Sequence, residues 1–226
     1  MDENQALYHE DRAIQIWIYS VSFLSAFINM AGFMAFAYAL SHYSGNYTLI
    51  IEDIYNHGYN TALVLLLLSL SFTIGGFISA FVNVNKEFKL ESKYGEIQFV
   101  IGIMMLFLYL VFYNEDLFIY FLACALGTQN GLIRSYRGVG FKTTHVTGTF
   151  TDLGTFIGYM VRGEANMGWK IKFEVFLLLS FALGTLLSIV LFGYMKEKIF
   201  IPGAIGYLLS GIFFFILRGR SEKRDQ

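Results

Sequence analysis

The stretch Ser41-His42-Tyr43-Ser44-Gly45-Asn46-Tyr47-Thr48 has a twin one hundred or so residues later, Thr144-His145-Val146-Thr147-Gly148-Thr149-Phe150-Thr151. Both read Ser or Thr, His, any residue, Ser or Thr, Gly, Asn or Thr, an aromatic, Thr. Each follows one apolar run. The apolar run after each also matches: Ser71-Phe72 and Gly75 with Ser79 stand against Ser180-Phe181 and Gly184 with Ser188. The chain therefore reads as two copies of a three-span unit. An odd number of crossings makes the second copy enter from the opposite side, which is an inverted repeat of the kind transporters use.

Outward from these motifs, six apolar runs can be drawn: 13–40, 61–84, 97–113, 117–133, 175–195 and 199–217. Each approaches the roughly 20 residues that a helix needs to cross hydrocarbon. The runs are continuous rather than alternating, so helices are expected and a barrel is not. Composition agrees. Of 226 residues, 56% are hydrophobic and only 15% are charged, against about a quarter in soluble domains. Net charge is −1, which offers nucleic acid no basic field. One Cys excludes a disulfide scaffold. The first run is too long for a signal peptide, and its leading flank is acidic.

The expected fold class is an all-α membrane protein. It has six transmembrane helices as two inverted three-helix repeats, about 12–113 and 116–217, within one integral membrane domain over 1–226. Segments 41–60 and 143–163 are too polar for ordinary spans. They are expected as half-helices or re-entrant elements, since polar backbone at membrane depth must line a cavity or be buried in protein. Basic residues fall after the second span (Lys86, Lys89, Lys93), after the fourth (Arg134, Arg137, Lys142) and in the tail (Arg218, Arg220, Lys223, Arg224). That alternation puts both termini in the cytoplasm. Lys196 and Lys198 run against it.

The candidate site residues gather on the motifs and the spans beside them. Thr147, Gly148 and Thr149 open a helix whose free N–H groups and partial positive charge suit an anion. Asn46 is the counterpart of Thr149. Asp152 is a carboxylate that is costly in a membrane unless it is paired, or serves proton coupling. Arg134 or Arg162 could pair it. Gln129, Asn130 and Arg134 form an amide-and-cation wall, with Asn130 and Arg134 on one helix face. Asn29 centres a polar stripe with Ser22, Ser25 and Gly32, which reads equally as helix packing. His42 and His145 lack acidic partners, so no metal and no cofactor is expected.

The run Ala125-Leu126-Gly127-Thr128-Gln129-Asn130-Gly131, followed by Thr143-Thr144-His145-Val146-Thr147-Gly148-Thr149 and Thr151-Asp152-Leu153-Gly154, resembles the YoaK-like family of bacterial inner-membrane proteins. That family's pattern is Gly-x-Gln-Asn, an Arg, then Thr-Thr-x-Val-Thr-Gly-Thr-x-Thr-Asp-Leu-Gly. Ser44-Gly45-Asn46 matches its Thr-Gly-Asn element conservatively. Asn29 stands where the family carries an Asp in the first span. The resemblance implies a bacterial inner-membrane location and a transport role, and supplies no substrate.

The expected function is transport of a small solute, anionic or carboxylated, through a midplane site between the two motifs. A passive channel of the same architecture and a non-transporting scaffold or sensor subunit are the alternatives. No nucleophile elbow, zinc-protease signature or paired-Glu pattern is present, so enzymatic activity is not expected. The expected partners are the solute and the lipid bilayer, with no nucleic acid. A homodimer is one way for six helices to enclose a path.

Overall fold

The structure is a computed structural model that describes residues 3–224, apart from 86, 114 and 115. Among the described residues, eight α-helices follow in order: α1 (Glu3–Phe36), α2 (Tyr43–Tyr55), α3 (Tyr59–Val82), α4 (Lys93–Phe112), α5 (Asp116–Leu132), α6 (Val146–Val161), α7 (Met167–Met195) and α8 (Phe200–Arg224). A two-stranded hairpin, β1 (Ser135–Tyr136) and β2 (Val139–Gly140), lies between α5 and α6. Four helical stretches are long and apolar enough to cross a membrane: Asp11–Phe36, Tyr59–Val82, Lys93–Phe112 and Met167–Glu222. The last contains α7 and α8, joined by a 3-10 turn at Lys196–Ile199. These stretches mark the chain as a membrane protein.

The helices pack as three intimate pairs, α3 with α5, α1 with α7, and α4 with α8. In lipid, apolar surface alone does not drive helices together, so close contact relies on small residues that let backbones approach. Glycines stand at each crossing. A Cβ on Gly75 of α3 would collide with the Cys124 carbonyl of α5, and one on Gly127 with the Phe72 carbonyl. A Cβ on Gly184 of α7 would collide with the Phe23 carbonyl of α1. In the third pair, a Cβ on Gly102 would lie 2.9 Å from the Ala204 carbonyl oxygen, and one on Gly211 would lie 2.9 Å from that of Gly95. The short helices ride on the long ones, α2 on α3 and α6 on α7.

Large apolar side chains on the outer helix faces stay exposed, among them Phe77, Phe81 and Leu110. They suit contact with acyl chains. The interior holds two aromatic clusters. One gathers Phe118 and Phe200, edge to face with centroids 5.0 Å apart. The other gathers Trp17, Tyr94 and Phe214. Trp17 is fully buried and donates its indole N–H to the Ser210 carbonyl at 3.1 Å. That bond satisfies a polar group that would otherwise be stranded.

The hairpin is not foreseen from the sequence. Its two-residue turn, Arg137-Gly138, has positive φ at both positions, 52° and 74°. This is the left-handed geometry that two-residue hairpins need. Glu87 holds the turn from outside: the Ser135 hydroxyl donates to it at 2.5 Å and the Gly138 N–H at 2.9 Å. Those bonds favour the ionised carboxylate and lower its pKa.

Candidate functional site

Each motif begins in the short irregular segment before a half-length helix, α2 or α6. A bare chain there leaves N–H groups without helical partners. Both segments meet this need with an asparagine from the preceding long helix. Asn29 Oδ1 of α1 accepts the Ser41 N–H at 2.9 Å and the Ser41 hydroxyl at 2.9 Å. Asn130 Oδ1 of α5 accepts the Thr144 N–H at 3.2 Å. Ser41 and Thr144 are the first residues of the two motifs. The two asparagines thus do the same task at matching places.

Other polar side chains fasten the second motif to α1. The Ser22 hydroxyl donates to the Thr143 carbonyl at 3.2 Å, and the Ser25 hydroxyl to the Thr143 hydroxyl at 3.1 Å. Gln129 donates to the Val21 carbonyl at 2.6 Å and also to the Ser25 hydroxyl. Gln129 is buried, and its Oε1 has no hydrogen-bond partner among the described residues. In the first motif, Asn46 donates to the Ala39 carbonyl at 2.7 Å. The Asn29 amide lies 3.3 Å from His42 Nδ1.

The two motifs face one cavity of about 270 Å³. Ser41, His42 and Ser44 line it from one side, and Thr144, His145 and Thr147 from the other. Asn130 and Lys142 complete the polar wall, while Tyr43, Phe72 and Val146 supply apolar surface. The size is just below that of typical ligand pockets, roughly 300–1,000 Å³. No carboxylate is among the described residues that line it. Lys142 is the one lysine or arginine among the described lining residues, and burial, then the nearby Arg134 charge, lowers the ammonium's pKa. Hydroxyls, an amide, two imidazoles and an ammonium make a site for an anion or a polar acceptor.

The sequence-based candidates divide on this geometry. Asn130 and Thr147 line the cavity. Asn29, Asn46 and Gln129 stand behind it and hold its walls. Gly148 supports His145: a Cβ there would come within 2.5 Å of the imidazole Nδ1. Thr149 is buried and bonds back to the His145 carbonyl at 3.2 Å. Arg134 lies away from the cavity, with its guanidinium 3.4 Å from the Asn83 carbonyl. Lys142 takes the cationic place expected of Arg134. Among the described residues, no ion pair joins Asp152 to Arg134 or Arg162. Asp152 instead lies within electrostatic reach of Glu174 on α7.

Glu174 is the residue that sequence reading missed. It is fully buried, and neither carboxylate oxygen has a hydrogen-bond partner among the described residues. The fifth apolar run begins at Val175, eight residues after the start of α7, and so leaves Glu174 in its flank. The sequence carries a signal for it, because Trp169, Phe173 and Leu177 recur at helical spacing across it.

Fold and cavity together define a helical membrane protein with a polar pocket between two look-alike motifs. The model of a family described as "Protein of unknown function (DUF1275)" matches residues 18–213, and the chain belongs to that family. No significant match is found among curated proteins or among solved structures.

Proposed function

We propose that the chain is a transporter of a small anionic solute, carboxylated metabolites being the leading class. The observation that carries this reading is the cavity lined by the corresponding residues of both motifs, with Lys142 as its cation. A site built from two equivalent half-sites suits a carrier whose halves exchange roles.

The architecture in this reading is six spans in two inverted halves. Helix pairing supports it. Counting α1 to α4 as one half and α5 to α8 as the other, the α3–α5 pair is the image of α7–α1, and α4–α8 is its own image. Gly102 against the Ala204 carbonyl and Gly211 against that of Gly95 are images as well. So are Asn29 with Ser41 and Asn130 with Thr144. The likeness to YoaK-like proteins, the bacterial inner-membrane location and the cytoplasmic termini belong to the same reading. Asn130, Lys142, Thr147 and the two histidines contact solute, whereas Asn29, Asn46, Gln129, Gly148 and Thr149 position them. Asp152 with Glu174 is the place for a coupling proton.

The test is thermal stability of the purified protein against a panel of carboxylates and inorganic anions. A true ligand at 100 times its dissociation constant stabilises by roughly 2.7 kcal/mol. The stabilisation is expected to vanish in Lys142→Gln and Thr147→Val. Stabilisation that survives both variants overturns the site.

A further inference from the structure

The two motifs share a backbone plan but not the side chains that they bring to the cavity. Ser41 matches Thr144, so Ala39 of the first half stands where the second half has Lys142. Lys142 lines the cavity, and Asn130, Thr144 and Thr147 line it from the same half. The third motif position is Tyr43 in the first half and Val146 in the second. Tyr43 lines the cavity together with Phe72 of α3, and their ring centroids are 4.6 Å apart.

The polar end of Tyr43 is tied to the frame. Its hydroxyl donates to the Leu40 carbonyl at 2.7 Å, with the Leu68 carbonyl 3.1 Å away. What Tyr43 offers a solute is therefore its ring. Phe181, the counterpart of Phe72, packs on His42 instead, with ring centroids 6.2 Å apart, and is not among the described residues that line this cavity. The lining is thus unequal. The second half supplies an ammonium, an amide and hydroxyls. The first supplies hydroxyls, an imidazole and an aromatic wall, with no lysine or arginine among its described lining residues.

Three classes of anion fit this lining badly. A dicarboxylate brings two charges to one lysine, and a second carboxylate set against rings is costly when unpaired. An amino acid brings an ammonium, and no carboxylate among the described lining residues pairs it. An inorganic oxyanion leaves the aromatic wall without a partner. The volume of about 270 Å³ admits only a small solute. Resting on the anion-carrier reading above, we propose that the solute is a short-chain monocarboxylate. Its carboxylate sits at Lys142, Asn130 and Thr147, and its hydrocarbon body lies on Tyr43, Phe72 and Val146. Lys142 then supplies affinity for the charge, and the aromatic pair selects the body attached to it.

The experiment is isothermal titration of the detergent-purified chain with acetate, propionate, butyrate and valerate, against succinate, free alanine and sulfate. Binding should tighten about two- to fourfold per added methylene until the cavity is full, fourfold being the value for complete burial. Succinate should bind at least about tenfold more weakly than butyrate, and alanine than propionate, because each leaves a charge unpaired. Sulfate should also bind more weakly than butyrate. Phe72→Ala should flatten the dependence on chain length while acetate still binds, and Phe72→Leu should keep most of it. Val146→Thr, a change of almost no volume, should reduce the gain per methylene and serves if Phe72→Ala does not fold. Lys142→Gln should remove binding of every carboxylate. Affinity that is flat across the series, succinate or sulfate as tight as butyrate, alanine as tight as propionate, or a gain per methylene that survives both Phe72→Ala and Val146→Thr overturns the monocarboxylate and leaves the anion site standing. Absence of binding by any of these anions, or binding indifferent to Lys142→Gln, overturns the anion site and the monocarboxylate with it.

Discussion

Removing the two motif-capping asparagines tests the site frame in graded steps. Asn130→Ala takes the acceptor from one buried N–H, that of Thr144, which is 4% exposed. A buried donor left unpaired costs about 1–3 kcal/mol. Asn29→Ala takes the acceptor from two donors, the Ser41 N–H and the Ser41 hydroxyl. The hydroxyl can rotate toward another acceptor and recover part of its loss, so the cost is about 2–4 kcal/mol. The two asparagines share no hydrogen-bond partner. Their effects should therefore add to within about 0.5 kcal/mol in the double variant. Reversible unfolding in bicelles reads each value. The order Asn29 above Asn130, with additivity, is the expected result. Single variants that both fall within 0.3 kcal/mol of wild type, roughly the noise of such additivity tests, would refute the account of the motifs as asparagine-held segments.

Three further outcomes follow from particular contacts. Gly75→Ala and Gly184→Ala should each destabilise by about 1–3 kcal/mol, because the added Cβ meets a backbone carbonyl that cannot retreat. Gly154→Ala, with open space around it, should be near neutral or slightly stabilising in the same assay. Glu174→Met should raise thermal stability at neutral pH, since it replaces a buried carboxyl with no hydrogen-bond partner among the described residues by an apolar chain of similar reach. A clear loss of stability would show that Glu174 has a partner. The Glu87 carboxylate has its pKa lowered, so its hold on the hairpin is fully present above the ordinary carboxylate range. That hold is lost as pH falls through the lowered value. Amide exchange at Gly138 should accelerate with acid in wild type, and Glu87→Gln should flatten the dependence.

How much of this was legible depends on the range over which each signal acts. Long apolar runs locate helices locally, and the expected spans agree with α1, α3, α4, α5, α7 and α8 to within a few residues at most ends. The exceptions are the starts of α1 and α7, ten and eight residues earlier than the apolar runs, and the end of α8, seven residues later; the early start of α7 conceals Glu174. The polar twins at Ser41 and Thr144 pointed to α2 and α6 because polar, Gly-containing segments between spans need a special place. The hairpin was not legible. Its strands are two residues each, and Arg137 at positive φ lacks the usual Asn or Gly signature. Asn29 reads equally as a site residue and as helix packing, because nothing local links it to Ser41. The chain must reverse after Phe36 before the two meet. Lys142 was assigned to topology, since a lysine beside a span looks the same whether it faces water or a cavity.

A solute site between the two motifs requires a water-accessible path there within the lipid-embedded protein. On a Cys124→Ala background, Ser44→Cys and Thr147→Cys sample opposite walls of the cavity, and Leu186→Cys samples an exposed apolar face of α7. The measurement is the rate of labelling by a hydrophilic thiol reagent in reconstituted vesicles. Fast labelling at Ser44 and Thr147, with Leu186 inert, is the predicted result. Rates at Ser44 and Thr147 no higher than at Leu186 would contradict a solute site between the motifs.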